Sequence, residues 1–514
     1  MNSRIIYFLV ASLFFTVSSF AQQKVYESII KLGQTENRSM EYLDVLTNRF
    51  GGRPIGSDAY DNSSEWIMSK FKEWNIPVRK ELAGETRVGF NRGPWFGALL
   101  GKNGMNLHFV TPSYTSGTKG KQIGHVVLEP KTRQEFDRMK KKLNGAWVLI
   151  SGNSRGWPVD VSAKGDSVRR STIEYNESIR SKNDSIRRHN QEFGDDSPML
   201  EYKTEPALFY KEMVDAGILG IIQSAKVPLV ALYDRNVVFD PEMTFDNLPV
   251  VPDIKLDEKQ FSQIAEMVKQ REDFFLEFDI RNHFKLGPVP YHNIVGEIKG
   301  STYPDEYVIL SAHLDAFDVA TGGVDDGSGV TPIMEAARFL AESGAKPKRT
   351  ILFCFFAGEE FGLVGAKAWV KSNADKLNGI SNLINRDGGP TVPVGMAVPR
   401  SLEKPFKSLA KEISKVNPDF PFEVTVVTPG KRPKSMGGTD ASVFAVQGIP
   451  TLSLRTADPK GYDFNYGEIW HTERDLYNKS IPEYQKHAAT VMAMVALGIA
   501  NMETKFPRNE VYSE

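Results

Sequence analysis

Five short stretches between residues 311 and 475 place histidines and carboxylates where a metal ion could use them. Ser311-Ala-His313-Leu-Asp315 closes an apolar run, and alternation along an extended chain sends His313 and Asp315 to the same face. A carboxylate so placed can hold the distal N–H of a metal-bound imidazole and fix its tautomer. Structural His–Asp pairs share that spacing, so this stretch alone identifies nothing. Gly322-Gly-Val-Asp325-Asp326-Gly-Ser-Gly329 then leads into a helical pattern over Thr331–Glu342. One acid there would serve as a helix N-terminal charge. Two adjacent acids framed by glycines also expose a carboxylate to close approach by a cation. Phe356-Ala-Gly-Glu359-Glu360-Phe-Gly362 leaves a second apolar strand. Neighbouring carboxylates repel unless a cation lies between them, and their side chains diverge. One can bind metal while the other faces a water, which yields a ligand and a general base. Asn385-Arg-Asp387-Gly-Gly adds a carboxylate, and Trp470-His471-Thr-Glu-Arg-Asp475 adds the second histidine. Two His and three carboxylates, mostly at strand exits, are the set that two zinc ions sharing one carboxylate require.

Composition narrows the chemistry further. The chain has eight His and one Cys, so an intramolecular disulfide and polythiolate metal sites are both excluded. A transition metal must be held by His and carboxylates. His108, His125, His189, His283, His292 and His487 stand among unrelated residues and read as surface or structural histidines. Cys354, inside the apolar run Ile351–Phe356, reads as a core thiol. With 63 basic and 64 acidic side chains the net charge is −1, which argues against a nucleic-acid partner.

The elements that must position these residues alternate in type. Apolar runs at Tyr307–Ala312, Thr350–Phe356, Leu383–Asn385, Val424–Thr428 and Thr451–Arg455 read as strands. Helical patterns at Thr331–Glu342, Leu363–Lys371, Leu402–Val416 and Ile481–Met502 lie between and after them. This order predicts an α/β fold, a three-layer α/β/α domain whose mixed sheet is mostly parallel, with its site at the carboxyl ends of the strands. The domain would comprise residues 22–95, with two helices around the Gly51–Gly56 loop, and residues 286–514. Between them, 96–285 reads as an inserted β-rich domain, with a charged helical or flexible excursion over 160–198. Residues 1–21 have the charge, apolar core and Ser19-Phe20-Ala21 end of a secretory signal. That predicts export to a periplasm or the extracellular space without stable membrane insertion. Oligomeric state is not encoded in any motif, and a homodimer is compatible with the chain.

The same motifs, in this order and approximate spacing, resemble the co-catalytic zinc exopeptidases of metallopeptidase family 28. The likeness extends to His292-Asn-Ile-Val-Gly-Glu-Ile-Lys-Gly300, Lys346-Pro-Lys-Arg-Thr350 and Gly438-Thr-Asp440. The inserted section resembles a protease-associated domain. The resemblance implies two Zn2+ ions bridged by Asp325, one completed by Glu360 and His471 and the other by His313 and Asp387. It implies that Glu359 is the general base acting on a metal-bridging water, that Asp315 supports His313, and that the Asp325–Asp326 peptide is cis. It places Asp440 against the substrate, an unblocked peptide or dipeptide. Several relatives carry Tyr before the last His as oxyanion donor, where this chain has Trp470, so oxyanion stabilisation would fall to zinc alone or to another group such as Tyr462 or Tyr466. Aminopeptidase and carboxypeptidase-type dipeptidase activities share these motifs. Glutaminyl cyclisation on a related zinc fold and a non-catalytic ectodomain of the same fold are the competing readings.

Overall fold

Strands made wholly of apolar residues must be covered on both faces. In the computed structural model, which describes residues 22–102 and 104–513, the runs at Tyr307–Ala312, Thr350–Phe356 and Leu383–Asn385 lie in a five-stranded sheet, whereas those near Val424 and Thr451 join a separate three-stranded one. The expected signal segment, 1–21, lies outside the described residues. The strands are β1 (Val78–Thr86), β2 (Val289–Ile298), β3 (Tyr303–His313), β4 (Arg349–Phe356) and β5 (Ile380–Asn385), in spatial order β1-β2-β4-β3-β5. β3 runs parallel to both β4 and β5, whereas β2 is antiparallel to β4. Register brings the parallel strands to a common end, with His313 opposite Phe356 and Ser311 opposite Asn385. The residues that follow each strand therefore emerge side by side.

Every residue of β4 is buried, and its alternating side chains build two cores. On one face Phe353 and Phe355 pack edge-on against Phe71 of helix α1 (Asp58–Glu73). Helices α2 (Gly327–Glu342) and α3 (Pro482–Asn501) are buried along most of their length. On the other face Cys354 and Phe356 join Trp369 and Phe444. Burial pushes the Cys354 thiol well up, as expected of a packing residue. The layers are α/β/α. His487 is buried in α3 against Phe420, 5.1 Å between ring centroids, and is a core histidine.

Two elements depart from their sequence patterns. α2 starts at Gly327, four residues before the amphipathic pattern, because close packing outweighs glycine's low helix propensity. A Cβ on Gly329 would stand 2.0 Å from the Arg386 carbonyl oxygen. The helix expected over 39–49 is α-helical only over Ser39–Asp44 and widens to a π-turn over Val45–Phe50. Gly51, at φ 80°, ends it and turns the chain toward Arg53.

The described residues divide into two compact units, one within 22–85, 290–470 and 474–513, the other within 86–289 with 471–473. The second unit holds an eight-stranded sheet. Gln122–Leu128, Ala146–Ser154, Gly220–Ala225 and Asp253–Asp257 lie in it as consecutive parallel strands. Trp147, Leu276 and Phe278 anchor its core. The polar stretch 160–198 contains one helix, Ala163–Phe193, capped by Ser162 and closed by Gly194. Few large apolar residues hold it. Asn176 and Asn183 instead bond the backbone of Lys203 and Leu200, fixing the returning chain along the helix. Among the described residues no helix is long and apolar enough to cross a membrane.

Packing of β2 on α1 is tight enough to test. A Cβ on Gly296 would fall 2.2 Å from the Phe71 ring. Gly296→Ala is expected to cost about 1–3 kcal/mol by overpacking. The check is a lowered melting temperature with an unchanged far-ultraviolet circular dichroism spectrum.

Candidate metal centre

The common end of β3, β4 and β5 gathers the acids named above. His313, the last residue of β3, sets Nε2 3.1 Å from Asp325 Oδ1 and 3.9 Å from Asp387 Oδ1. One ligand atom each from His313, Asp325 and Asp387 lies within 4.8 Å of the others, and the same holds for Asp325, Glu360 and His471. The two groups share Asp325. His471 follows directly on Trp470 and takes a left-handed conformation, φ 59°. The Asp325–Asp326 peptide is cis, as the sequence resemblance implied.

Glu359 stands beside these groups on the turn after β4. Burial pushes its carboxyl well up, and the charges of Glu360, Asp387 and Asp440 add to the effect. Burial likewise raises Glu360, Asp387, Asp326 and Asp440, each further raised by neighbouring carboxylates. Both oxygens of Asp440 are buried without a hydrogen-bond partner. The donor set is therefore acidic, oxygen-rich and short of positive charge, which is what a divalent cation with His and carboxylate ligands would correct.

The loops are held by groups whose roles go beyond their sequence readings. Asp315 was expected to brace the His313 ring with its carboxylate. His313 Nδ1 meets the backbone oxygen of Asp315 at 3.0 Å and also pairs with its carboxylate, 3.7 Å away. The Asp315 carboxylate accepts the backbone N–H groups of Glu359 and Glu360, at 3.1 and 3.2 Å. It thus ties the end of β3 to the turn after β4. Asp475 does the same for the Asp325 loop, accepting from the N–H of Val324 at 2.7 Å and of Asp325 at 3.2 Å. Burial, then the Asp325 charge, pushes Asp475 up to about 7. The Asp326 carboxylate accepts the backbone N–H of His313 at 3.2 Å.

Arg53 and Asn293 were not singled out as functional. The Arg53 guanidinium is wholly buried and donates to the carbonyls of Leu314, Thr321 and Gly51 at 2.6, 2.9 and 3.1 Å. It holds both ends of the segment between His313 and Asp325. Its only sequence signal is a glycine-rich turn carrying one cation. Asn293, on β2, accepts from the Ala357 N–H and donates to the Gly365 carbonyl, both at 2.9 Å, bracing the Glu359 turn.

Of the aromatic candidates, Tyr466 reaches the centre. Its hydroxyl lies 3.3 Å from Asp325 Oδ2, whereas Tyr462 is exposed with its hydroxyl 3.4 Å from Glu483. Burial and the Asp325 charge push the Tyr466 phenol well up, so it keeps its proton. Trp470 is 53% exposed.

Comparison with known proteins places this geometry in a context. The model of peptidase family M28 matches residues 293–496. Carboxypeptidase Q of Xenopus laevis is 24% identical over 509 residues, 96% of this chain and 92% of that protein. Carboxypeptidase Q of Mus musculus is 27% identical over 318 residues, 59% of this chain and 63% of that protein, so this match spans less than two thirds of its length. Among solved structures, a peptidase M28 precursor from Shewanella amazonensis aligns with a TM-score of 0.56 at 21% identity, covering 94% of this chain and 98% of that one. A zinc aminopeptidase from Bacillus subtilis aligns at 0.50 with 15% identity, over 93% and 97%. These two share the fold.

Burial of the acids gives a signed expectation for protein stripped of metal. Unfolded carboxyls titrate near 4, whereas folded Asp475 titrates at about 7 and its acidic neighbours are also raised. Between those values the folded state binds more protons, so stability falls as pH rises. Chelated protein should melt lower at pH 8 than at pH 5. Added zinc should raise the melting temperature most at pH 8, because its ligands must be deprotonated. A melting temperature of the chelated protein that rises from pH 5 to pH 8 would contradict this reading.

Proposed function

We propose, from the match of residues 293–496 to the model of peptidase family M28, that this chain is an exported dizinc exopeptidase acting on unblocked peptides or dipeptides. The metallo-exopeptidase class follows from the family and from relatives named as carboxypeptidases and zinc aminopeptidases. The observation that carries the finer reading is the pair of ligand groups joined through Asp325, with Glu359 alongside.

The donor set fits zinc in both type and charge. His nitrogen and carboxylate oxygen are its ordinary ligands, and the crowded acids need a cation. His313, Asp325 and Asp387 would hold one ion; Asp325, Glu360 and His471 would hold the other. Ions bound there supply Lewis-acid polarisation of the scissile carbonyl and lower the pKa of water.

The protein's own groups do the rest. Glu359 takes a proton from the attacking water as the water oxygen bonds to the carbonyl carbon. It then delivers that proton to the nitrogen as the C–N bond breaks, so the free amine and acid leave in balance. Asp315 and Asn293 keep Glu359 and Glu360 on a fixed turn, so no reorganisation is needed during proton transfer. The Tyr466 phenol, which donates to Asp325 Oδ2 at 3.3 Å, would turn that one proton to the oxyanion as charge develops there, the task that Trp470 lacks a hydroxyl to perform. Asp440, buried with both oxygens unpartnered, would receive the substrate's free amino group, so peptides with a blocked amino end should be poor substrates. Trp470 covers the substrate from the exposed side.

The decisive variant is Glu359→Gln, which keeps size and hydrogen bonding but removes the base. Turnover of a small dipeptide library should drop about 10²–10⁴-fold while elemental analysis shows undiminished zinc. Ordinary turnover in that variant would overturn the assignment.

A further inference from the structure

The segment that carries His471 takes its hold from the second unit. Residues 471–473 fall in that unit with 86–289. They pair antiparallel with Leu229–Ala231, Thr472 standing opposite Val230. The Ala231 N–H donates to the His471 carbonyl and the Glu473 N–H to the Leu229 carbonyl, both at 3.2 Å. Leu229, Ala231 and Thr472 are buried, so this pairing is shielded from water. It follows directly on the left-handed turn at His471, φ 59°, which a non-glycine residue keeps only where its surroundings impose it.

A side chain of the same unit fixes the far end of the pairing. Glu473 Oε1 lies 3.5 Å from His108 Nε2, and His108 Nδ1 lies 3.3 Å from Asp257 Oδ2. One imidazole, read from the sequence as a surface or structural histidine, thus links two carboxylates. His108 is itself anchored at the backbone. Its N–H donates to Gln260 Oε1 at 2.7 Å, and its carbonyl accepts the Asp257 N–H at 3.0 Å. Asp257 in turn caps the helix Glu258–Gln270, accepting from the N–H groups of Lys259 and Gln260. A continuous set of contacts therefore runs from a helix cap through His108 to Glu473, two residues from a candidate ligand. His313, by contrast, ends β3, and its Nδ1 meets the Asp315 backbone oxygen within the first unit.

We propose that His108 is a positioning residue for the metal centre: through Glu473 it holds His471 in the conformation that completes the group with Asp325 and Glu360. The inserted section thereby sets the affinity for that ion, and much less the affinity for the ion of His313 and Asp387. The inference rests on the dizinc reading above and adds the element that governs one of its two sites. Groups that orient a metal-bound histidine are worth about 10–100-fold in metal affinity. A clamp acting through Glu473 belongs at the lower end of that range.

The test titrates zinc into the metal-free full chain in competition with a chromophoric chelator. It resolves the two dissociation constants in the wild type, His108→Ala, His108→Gln, Glu473→Ala and the double variant His108→Ala/Glu473→Ala. The His108 side chain is 44% exposed, so its truncation opens no core cavity. His471→Ala identifies which ion belongs to which site. The ion lost in His471→Ala should bind about tenfold more weakly in His108→Ala. The double variant should be no weaker than Glu473→Ala alone, because the two groups act as one pair. His108→Gln, which keeps a donor near the position of Nε2, should recover most of the loss. Affinity for the other ion should stay within about twofold throughout. Unchanged affinity in His108→Ala, additive losses in the double variant, no recovery in His108→Gln, or equal losses for both ions would overturn the positioning role and leave the dizinc reading standing. A wild type that binds no zinc would overturn both.

Discussion

Buried negative charge without a matching cation is the constraint on which this structure turns. Asp325, Glu360 and Asp387 converge on His313 and His471, with Glu359, Asp326 and Asp440 close by. Isolated carboxylates in such surroundings would give up their charge rather than stay ionised. A fold that keeps them together needs rigid loops to resist repulsion and an ion to make the ionised state favourable.

The loops are made rigid by backbone satisfaction more than by pairing of charges. Three parallel strands end level, and the turns beyond them are sewn together by Asp315, Asp326, Asp475, Arg53 and Asn293. Each of these side chains bonds main-chain groups on another segment. The result is a set of candidate ligands held in place by the backbone around them, which is the preorganisation that the proposed proton transfer through Glu359 requires.

Much of this was legible from residue types and order. Strand exits are visible because β4 is apolar from Ile351 to Phe356, and acids directly after such a run have few structural reasons to be there. The α/β/α layering followed from alternation. What was hidden depends on distance in three dimensions. Arg53 lies more than 250 residues before its partner carbonyls at Leu314 and Thr321, and its local context is an ordinary glycine turn. The contact of Asp315 with the Glu359 turn was missed because same-face geometry describes one strand and says nothing of its neighbour. The early start of α2 was missed because glycine propensity was outweighed by close approach to Arg386. The helix at Ala163–Phe193 is held by asparagines reading backbone, which leaves only a weak hydrophobic pattern.

The most direct measurement is the metal content of the purified chain, by elemental analysis after equilibration with zinc and removal of the unbound ion, in the wild type and in Asp325→Ala. Two ions per chain in the wild type, and loss of both when the shared carboxylate is removed, are what this account predicts. A wild type holding no zinc, or an Asp325→Ala protein that still holds two, would contradict it.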